Sequence, residues 1–140
     1  MAPENVIDLL QALVRIPSVN PHGDAGIPID QYGDGSTRRD YTYVDDIAQG
    51  IEACLRYEGA LCDVFNLGES ETTTLAALIA RIENALGKKA VTNRLAEQPG
   101  DVPLTYANID KARRLLGYNP STKIADGIPK FVDWYIKHVT

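Results

Sequence analysis

Apolar positions along this chain recur mostly at helical spacing, broken by short runs that alternate with period two. Val6, Leu9, Leu10, Leu13 and Val14 fall on one stripe and predict a helix over Glu4 to Arg15. Pro17 and Pro21 follow it, and His22 to Gly26 reads as a turn. Ile27 and Ile29 then alternate with polar or turn residues up to Tyr32. Gly33-Asp34-Gly35 reads as a hairpin reversal, followed by an extended stretch from Tyr41 to Val44. Asp45 or Asp46 is placed to cap a helix running to about Tyr57, with Ile47, Ile51 and Leu55 turned inward. Val64 to Leu67 has the composition of a compact strand ending at Gly68. Thr72 or Thr73 opens a helix whose stripe is Leu75, Leu78, Ile79, Ile82 and Leu86, and Gly87 stops it. Ala90 to Leu95 predicts another strand, and Asn108 or Asp110 starts a short helix ending near Gly117. Ile124 to His138 predicts a last helix with Ile124, Ile128, Phe131, Tyr135 and Val139 on its apolar face, although Pro129 argues against a regular first half. Together these elements make a mixed, helix-rich α/β chain.

Composition narrows the class. The 140 residues suit one domain, and 44% hydrophobic content is enough to build a core. A net charge of -5, from 14 Lys plus Arg against 19 Asp plus Glu, argues against nucleic-acid or anionic-membrane partners. No targeting element is visible, and no run of about 18 apolar residues could span a bilayer, so a cytoplasmic setting is expected. Cys54 and Cys62 lack the close spacing of a zinc knuckle, and neither His22 nor His138 accompanies them. Buried, reduced thiols and no bound metal are the expectation.

Arg38 and Arg39 are the strongest candidates for a binding site. They follow Ser36 and Thr37, and a guanidinium fork matches a phosphate or pyrophosphate. The competing reading is a solvated salt-bridge cluster in which Asp40 orients or neutralises an arginine. Asp101, after Pro99-Gly100, could accept hydrogen bonds from two sugar hydroxyls or close its own Asx turn. Asp45 and Asp46 read as helix caps rather than as an acid–base pair. Serines without a nucleophile elbow, together with two distant histidines, give no catalytic triad. No glycine-rich strand-turn-helix suited to a dinucleotide is present.

The ordered motifs carry a resemblance. Gly26-Ile-Pro-Ile-Asp-Gln-Tyr-Gly-Asp-Gly-Ser-Thr-Arg-Arg-Asp-Tyr-Thr-Tyr-Val-Asp-Asp-Ile47, Val64-Phe-Asn-Leu-Gly68, Gln98-Pro-Gly-Asp-Val-Pro-Leu-Thr-Tyr-Ala-Asn-Ile-Asp-Lys-Ala112, Leu116-Gly-Tyr-Asn-Pro-Ser-Thr122 and Gly127-Ile-Pro-Lys-Phe-Val-Asp-Trp-Tyr135 follow one another in order. Residues 26-137 thereby resemble the C-terminal, substrate-binding portion of the NAD-dependent epimerase/dehydratase family of extended short-chain dehydrogenases, most nearly UDP-glucuronate 4-epimerases. The resemblance implies a fold lacking most of the Rossmann sheet. It implies that Arg39 contacts a nucleotide-sugar pyrophosphate, with Arg38 its neighbour, that Asp101 approaches the ribose, and that Tyr32 packs beside uracil. Gln98 stands where galactose-type epimerases commonly carry an arginine, so a second cationic clamp is missing. Asn108 replaces a usual aspartate.

In that family hydride leaves C4 of a UDP-sugar for NAD and returns to the other face, with a tyrosine as base and a lysine tuning it. The glycine-rich loop and the Tyr-x-x-x-Lys motif have no match in this chain. No catalytic residue and no cofactor are therefore expected of the chain alone, although the intact family uses NAD. The expected partners are a UDP-sugar and either a second copy of the chain or a complementing Rossmann-containing chain. Removing the rest of the sheet is expected to leave Val64 to Leu67 unpaired and Leu75, Leu78, Ile79 and Ile82 uncovered.

The opening stretch Leu9-Leu-Gln-Ala-Leu-Val-Arg-Ile-Pro-Ser-Val-Asn-Pro-His-Gly-Asp24 resembles something else, the start of the zinc-dependent peptidase/deacylase family that includes acetylornithine deacetylase. That division predicts a leader of different origin over residues 1-25 and a partial nucleotide-sugar-binding lobe over residues 26-140; a variable epimerase leader is the other reading of the first part. Three functions follow: an epimerase remnant that binds substrate without turnover, a non-enzymatic nucleotide-sugar-binding or interaction protein, and a zinc-dependent deacylase fragment.

Overall fold

A computed structural model describes residues 29–138. The expected leader helix, the boundary near residue 25 and the inward Val139 lie outside these residues. What is described is a helix-rich α/β fold with little sheet: β1 (Ile29–Tyr32), β2 (Arg38–Arg39), α1 (Val44–Leu55), β3 (Thr73–Thr74), α2 (Leu75–Leu86), β4 (Thr92–Leu95), α3 (Asp110–Leu116) and α4 (Ile124–His138).

Strand β1 pairs in parallel with β4, Ile29 opposite Thr92 and Tyr32 opposite Leu95. Strand β2 pairs antiparallel with β3, Arg38 opposite Thr74. The expected hairpin at Gly33-Asp34-Gly35 is therefore a turn without a hairpin. Gly33 and Gly35 do take positive φ, 72° and 83°, where a side chain would be strained. They turn the chain away from β1 and lay it on the start of α2: Ala76 N donates to Gly35 O at 3.0 Å, and Leu75 N to Thr37 O at 2.9 Å.

Helix α1 begins without the side-chain cap expected of Asp45 or Asp46. Its cap position is Tyr43, which makes no such bond. The Asp46 carboxylate instead accepts from Ser121 N and Thr122 N, both at 2.9 Å, and so ties the chain ahead of α4 to α1. Of the predicted stripe only Ile47 is half-buried, while Ile51 is exposed and Leu55 is 81% exposed. Contact is made through Gly50, where an added Cβ would lie 2.7 Å from the Leu67 methyls and 3.0 Å from the Tyr118 ring. The absence of a side chain makes this packing possible.

Val64 to Leu67 forms no strand; strand geometry needs a neighbour to share its backbone bonds, and none pairs with it among the described residues. Helix α2 is capped by Thr74, one residue after the expected position, whose Oγ1 accepts from Ala77 N at 3.1 Å. Gly87 ends it at φ 64°. Leu75, Leu78, Ile79 and Ile82 of its stripe are half-buried rather than bare, because α4 packs against this helix, and Leu86 is exposed. Helix α3 ends at Gly117 (φ 67°) as expected, and Asn108 Oδ1 accepts from Asp110 N at its start. Helix α4 runs unbroken through Pro129. Its buried residues are Gly127, Ile128 and Val132; of the predicted stripe Ile128 is buried, Ile124 and Tyr135 are half-buried, and Phe131 is exposed.

The tight core is small. Ile109, Ala112 and Tyr118 are buried, with Phe65, Leu67, Ala107 and Leu116 packed on them. The Tyr118 hydroxyl donates to Gly68 O at 3.0 Å, and burial beside Asp46 and Glu69 pushes the pKa of this phenol up. The cysteines depart from expectation: both are free, but Cys54 is half-buried and Cys62 exposed.

Candidate functional site

At the C-terminal end of the β1–β4 pair, the loops that follow the two strands enclose a cavity of about 220 Å³. Tyr32 closes β1 and supplies one wall. Ser36 and Thr37 come from the glycine turn, while Glu97, Gln98, Asp101 and Pro103 come from the segment after β4. Gly100 takes φ 87°, and Asp101 N donates to Gln98 O at 3.1 Å, so the Pro99-Gly100 turn presents Asp101 to the cavity.

Arg39 meets Asp101 there. Its Nη2 lies 2.5 Å from Asp101 Oδ1, and its Nη1 donates to Arg38 O at 2.9 Å. Arg38 turns the other way, with Nε donating to Thr72 Oγ1 at 2.9 Å and Nη2 to Thr72 O at 2.8 Å. Alternation along β2 sends the two neighbours to opposite sides. The Arg38 backbone also anchors the site, donating to Pro103 O at 2.8 Å and accepting from Thr105 N at 3.2 Å. Four of the five candidates, Tyr32, Arg39, Gln98 and Asp101, thus converge, and Arg38 serves β2 and β3.

Among the described residues, Asp40 neither orients nor neutralises an arginine. Its carboxylate accepts from Glu69 N at 2.9 Å, Ser70 N at 3.0 Å and Ala107 N at 3.1 Å, with Thr42 Oγ1 at 3.3 Å. This clamp fixes Ser70 at φ 59°, a conformation unusual for a side-chain-bearing residue. It also requires Gly68, because a Cβ there would sit 2.6 Å from Ala107 Cβ and 2.8 Å from Asp40 Oδ2. The sequence signal was present in Gly68 itself, but its partner was not readable from it. Close by, Asp34 Oδ1 accepts from Ser36 N at 2.8 Å, and hydrogen bonds from the Ser36 side chain and backbone pull the Asp34 pKa down. Lys123 joins Glu69 at 2.6 Å and Glu71 at 2.9 Å, and the hydrogen bond to Glu69, then that to Glu71, push its pKa up.

The sequence profile of the GDP-mannose 4,6 dehydratase family matches residues 23–131. The chain belongs to this family. Protein CapI of Staphylococcus aureus is 40% identical over 127 residues, covering 79% of this chain and 38% of the relative. A probable UDP-glucuronate 4-epimerase of Rhizobium meliloti is 34% identical over 128 residues, covering 79% and 38%. The crystal structure of UDP-glucuronic acid 4-epimerase from Bacillus cereus, in complex with UDP-glucuronic acid and NAD, superimposes with TM-score 0.72 at 36% identity, covering 81% of this chain and 36% of that one. The chain therefore spans little more than a third of the length of these relatives, and it is similar to UDP-glucuronate 4-epimerases within the NAD-dependent epimerase/dehydratase superfamily.

The likeness of residues 9-24 to zinc-dependent peptidases gains no support; the family match covers residues 23–131. The residues described here do not fit a dinucleotide. The positive-φ turn at Gly33 and Gly35 leads into β2 and not into the N-terminus of a helix, and each sheet has two strands. No described helix is long and apolar enough to cross a membrane.

Proposed function

We propose that this chain is the nucleotide-sugar-binding lobe of a UDP-glucuronate 4-epimerase-like enzyme, and that it supplies substrate contacts without carrying out a chemical step. The ion pair of Arg39 with Asp101, at the cavity holding Tyr32 and Gln98, is the observation that carries this reading. Asp101 keeps a second carboxylate oxygen for a ribose hydroxyl, Tyr32 offers a ring face to a base, and Gln98 contributes hydrogen bonds without charge. Arg39 holds Asp101 and gives the site its cation. Hydride transfer requires the dinucleotide and its base, which belong to a Rossmann half supplied by a complementing chain or segment.

Binding of UDP-glucuronate to the parent, R38A and R39A, followed by ligand-observed NMR, tests the reading. R39A should weaken binding by about tenfold or more, since it removes a charge-assisted contact and leaves Asp101 uncompensated, and R38A should weaken it less. A loss in R38A equal to or larger than that in R39A, or no binding by the parent, would refute the assignment.

A further inference from the structure

Resting on that reading, we propose that Asp40 is a positioning residue for the nucleotide-sugar site. Its carboxylate fixes the register in which residues 103–107 lie along residues 38–40, and that register sets Asp101 opposite Arg39. Three fastenings hold the two stretches side by side. Arg38 N donates to Pro103 O at 2.8 Å, Thr105 N to Arg38 O at 3.2 Å, and Ala107 N to Asp40 Oδ2 at 3.1 Å. The bridge between Arg38 and Leu104 is parallel. Asp101 therefore lies just ahead of the first fastening, and the Asp40 carboxylate closes the far end.

The ion pair does not set this geometry by itself. Arg39 is half-buried and Asp101 exposed. A pair in contact with water recovers little more than the entropy of holding its two side chains. A slip of one residue would carry Asp101 about 3.3 Å along the chain, more than a hydrogen bond tolerates. Arg39 depends on the same join, since its Nη1 donates to Arg38 O, the carbonyl that receives Thr105 N. The guanidinium and the segment carrying Asp101 thus meet on one oxygen.

A mobile carboxylate would follow that segment instead of fixing it, but Asp40 is anchored from behind. Oδ1 accepts from Glu69 N at 2.9 Å, and Oδ2 accepts from Ser70 N at 3.0 Å as well as from Ala107. The stretch that supplies these donors is itself fixed to the core: Gly68 O receives the buried Tyr118 hydroxyl at 3.0 Å, and buried Glu69 is joined to Lys123 ahead of α4. Through one side chain, the core reaches the wall of the cavity that carries Asp101.

The Nε–Hε cross-peak of Arg39 in 1H–15N NMR spectra of the full chain reports the pair, and D101A gives its position when the pair is broken. With each variant shown to be folded by circular dichroism, D40A should bring the peak to the D101A position. D40N, which keeps one acceptor oxygen, should bring it part of the way. D46N, which releases residues 121–122 instead, should leave the peak in place although it too lowers stability. For UDP-glucuronate, D40N should raise the dissociation constant by about threefold in the parent and by less than about 1.5-fold in the D101A background, because a positioning residue acts through the group it positions. An Arg39 peak that stays at the parent position in D40N, and in D40A where that variant folds, would overturn this inference alone, as would equal D40N losses in the two backgrounds. No binding of UDP-glucuronate by the parent would overturn the nucleotide-sugar reading and this inference with it.

Discussion

Asp40 gathers backbone donors from two distant stretches, at residues 69–70 and at 107, onto one carboxylate. Charge-assisted bonds to a partly buried acceptor are worth more than neutral ones, and their loss leaves N–H groups without a partner. D40A should lower unfolding free energy by about 3 kcal/mol, and D40N, which keeps one acceptor oxygen, by roughly half as much. Urea unfolding midpoints of the two variants check the ranking; equal, small losses would show that water replaces the clamp. Asp46 gives a pH-dependent counterpart. Burial opposes its charge, but the N–H groups of Ser121 and Thr122 outweigh that cost and hold its pKa below the ordinary 3.8. A carboxyl depressed in the fold stabilises fully above its unfolded pKa and loses that contribution as pH falls through the folded value. The Asp46 contribution should therefore be complete at neutral pH and decline progressively below 3.8. D46N should be less stable than the parent at pH 7, with the gap closing in acid; a gap that persists unchanged in acid unfolding curves would contradict this.

Among the elements, those defined by local chemistry were legible in the sequence. Gly87, Gly117 and the span Ile124–His138 were read correctly because caps and stripes act within one or two turns. G87A should cost about 1 kcal/mol through backbone strain alone, because nothing lies within 4 Å of the added methyl. A thermal shift too small to register would show that α2 can end differently. Elements that depend on remote partners were misread. Val64 to Leu67 has the composition of a strand but no neighbour, and the Gly33–Gly35 turn joins strands that pair elsewhere. Helix α1 was given an inward stripe when it packs through Gly50. At the candidate site, motif resemblance named Arg39 and Asp101, which the fold joins in an ion pair, whereas the Asp40 clamp was not readable, since its partners are backbone groups far along the chain.

For the whole molecule, the small core and the apolar surface belong together. Leu61 and Val64 are fully or largely exposed, as are Leu55 and Ile51 of α1, and Phe131 and Trp134 stand out from α4. The bare surface expected on α2 is thus found on α1, the chain after it and the outer side of α4. Large apolar side chains left exposed in this number favour association. Static light scattering should show mass rising with protein concentration, and L55E with V64E should reduce the rise. A single-chain mass up to about 100 µM would show that this surface tolerates water.

The parallel pairing of β1 with β4 joins residues 29–32 to residues 92–95, across most of the described chain. A contact between such distant stretches forms only after the intervening segment has been brought to order, and the closure entropy slows its formation. The cavity lies at the end of this pair and takes its walls from both sides. During synthesis, a growing chain that has passed Leu86 can already hold α1 and α2, yet this cavity lacks its second wall until Gln98, Asp101 and Pro103 have emerged. The cavity is thus among the last features the chain acquires, and the nucleotide sugar proposed for it, present at that moment, would stabilise the closed pairing it depends on.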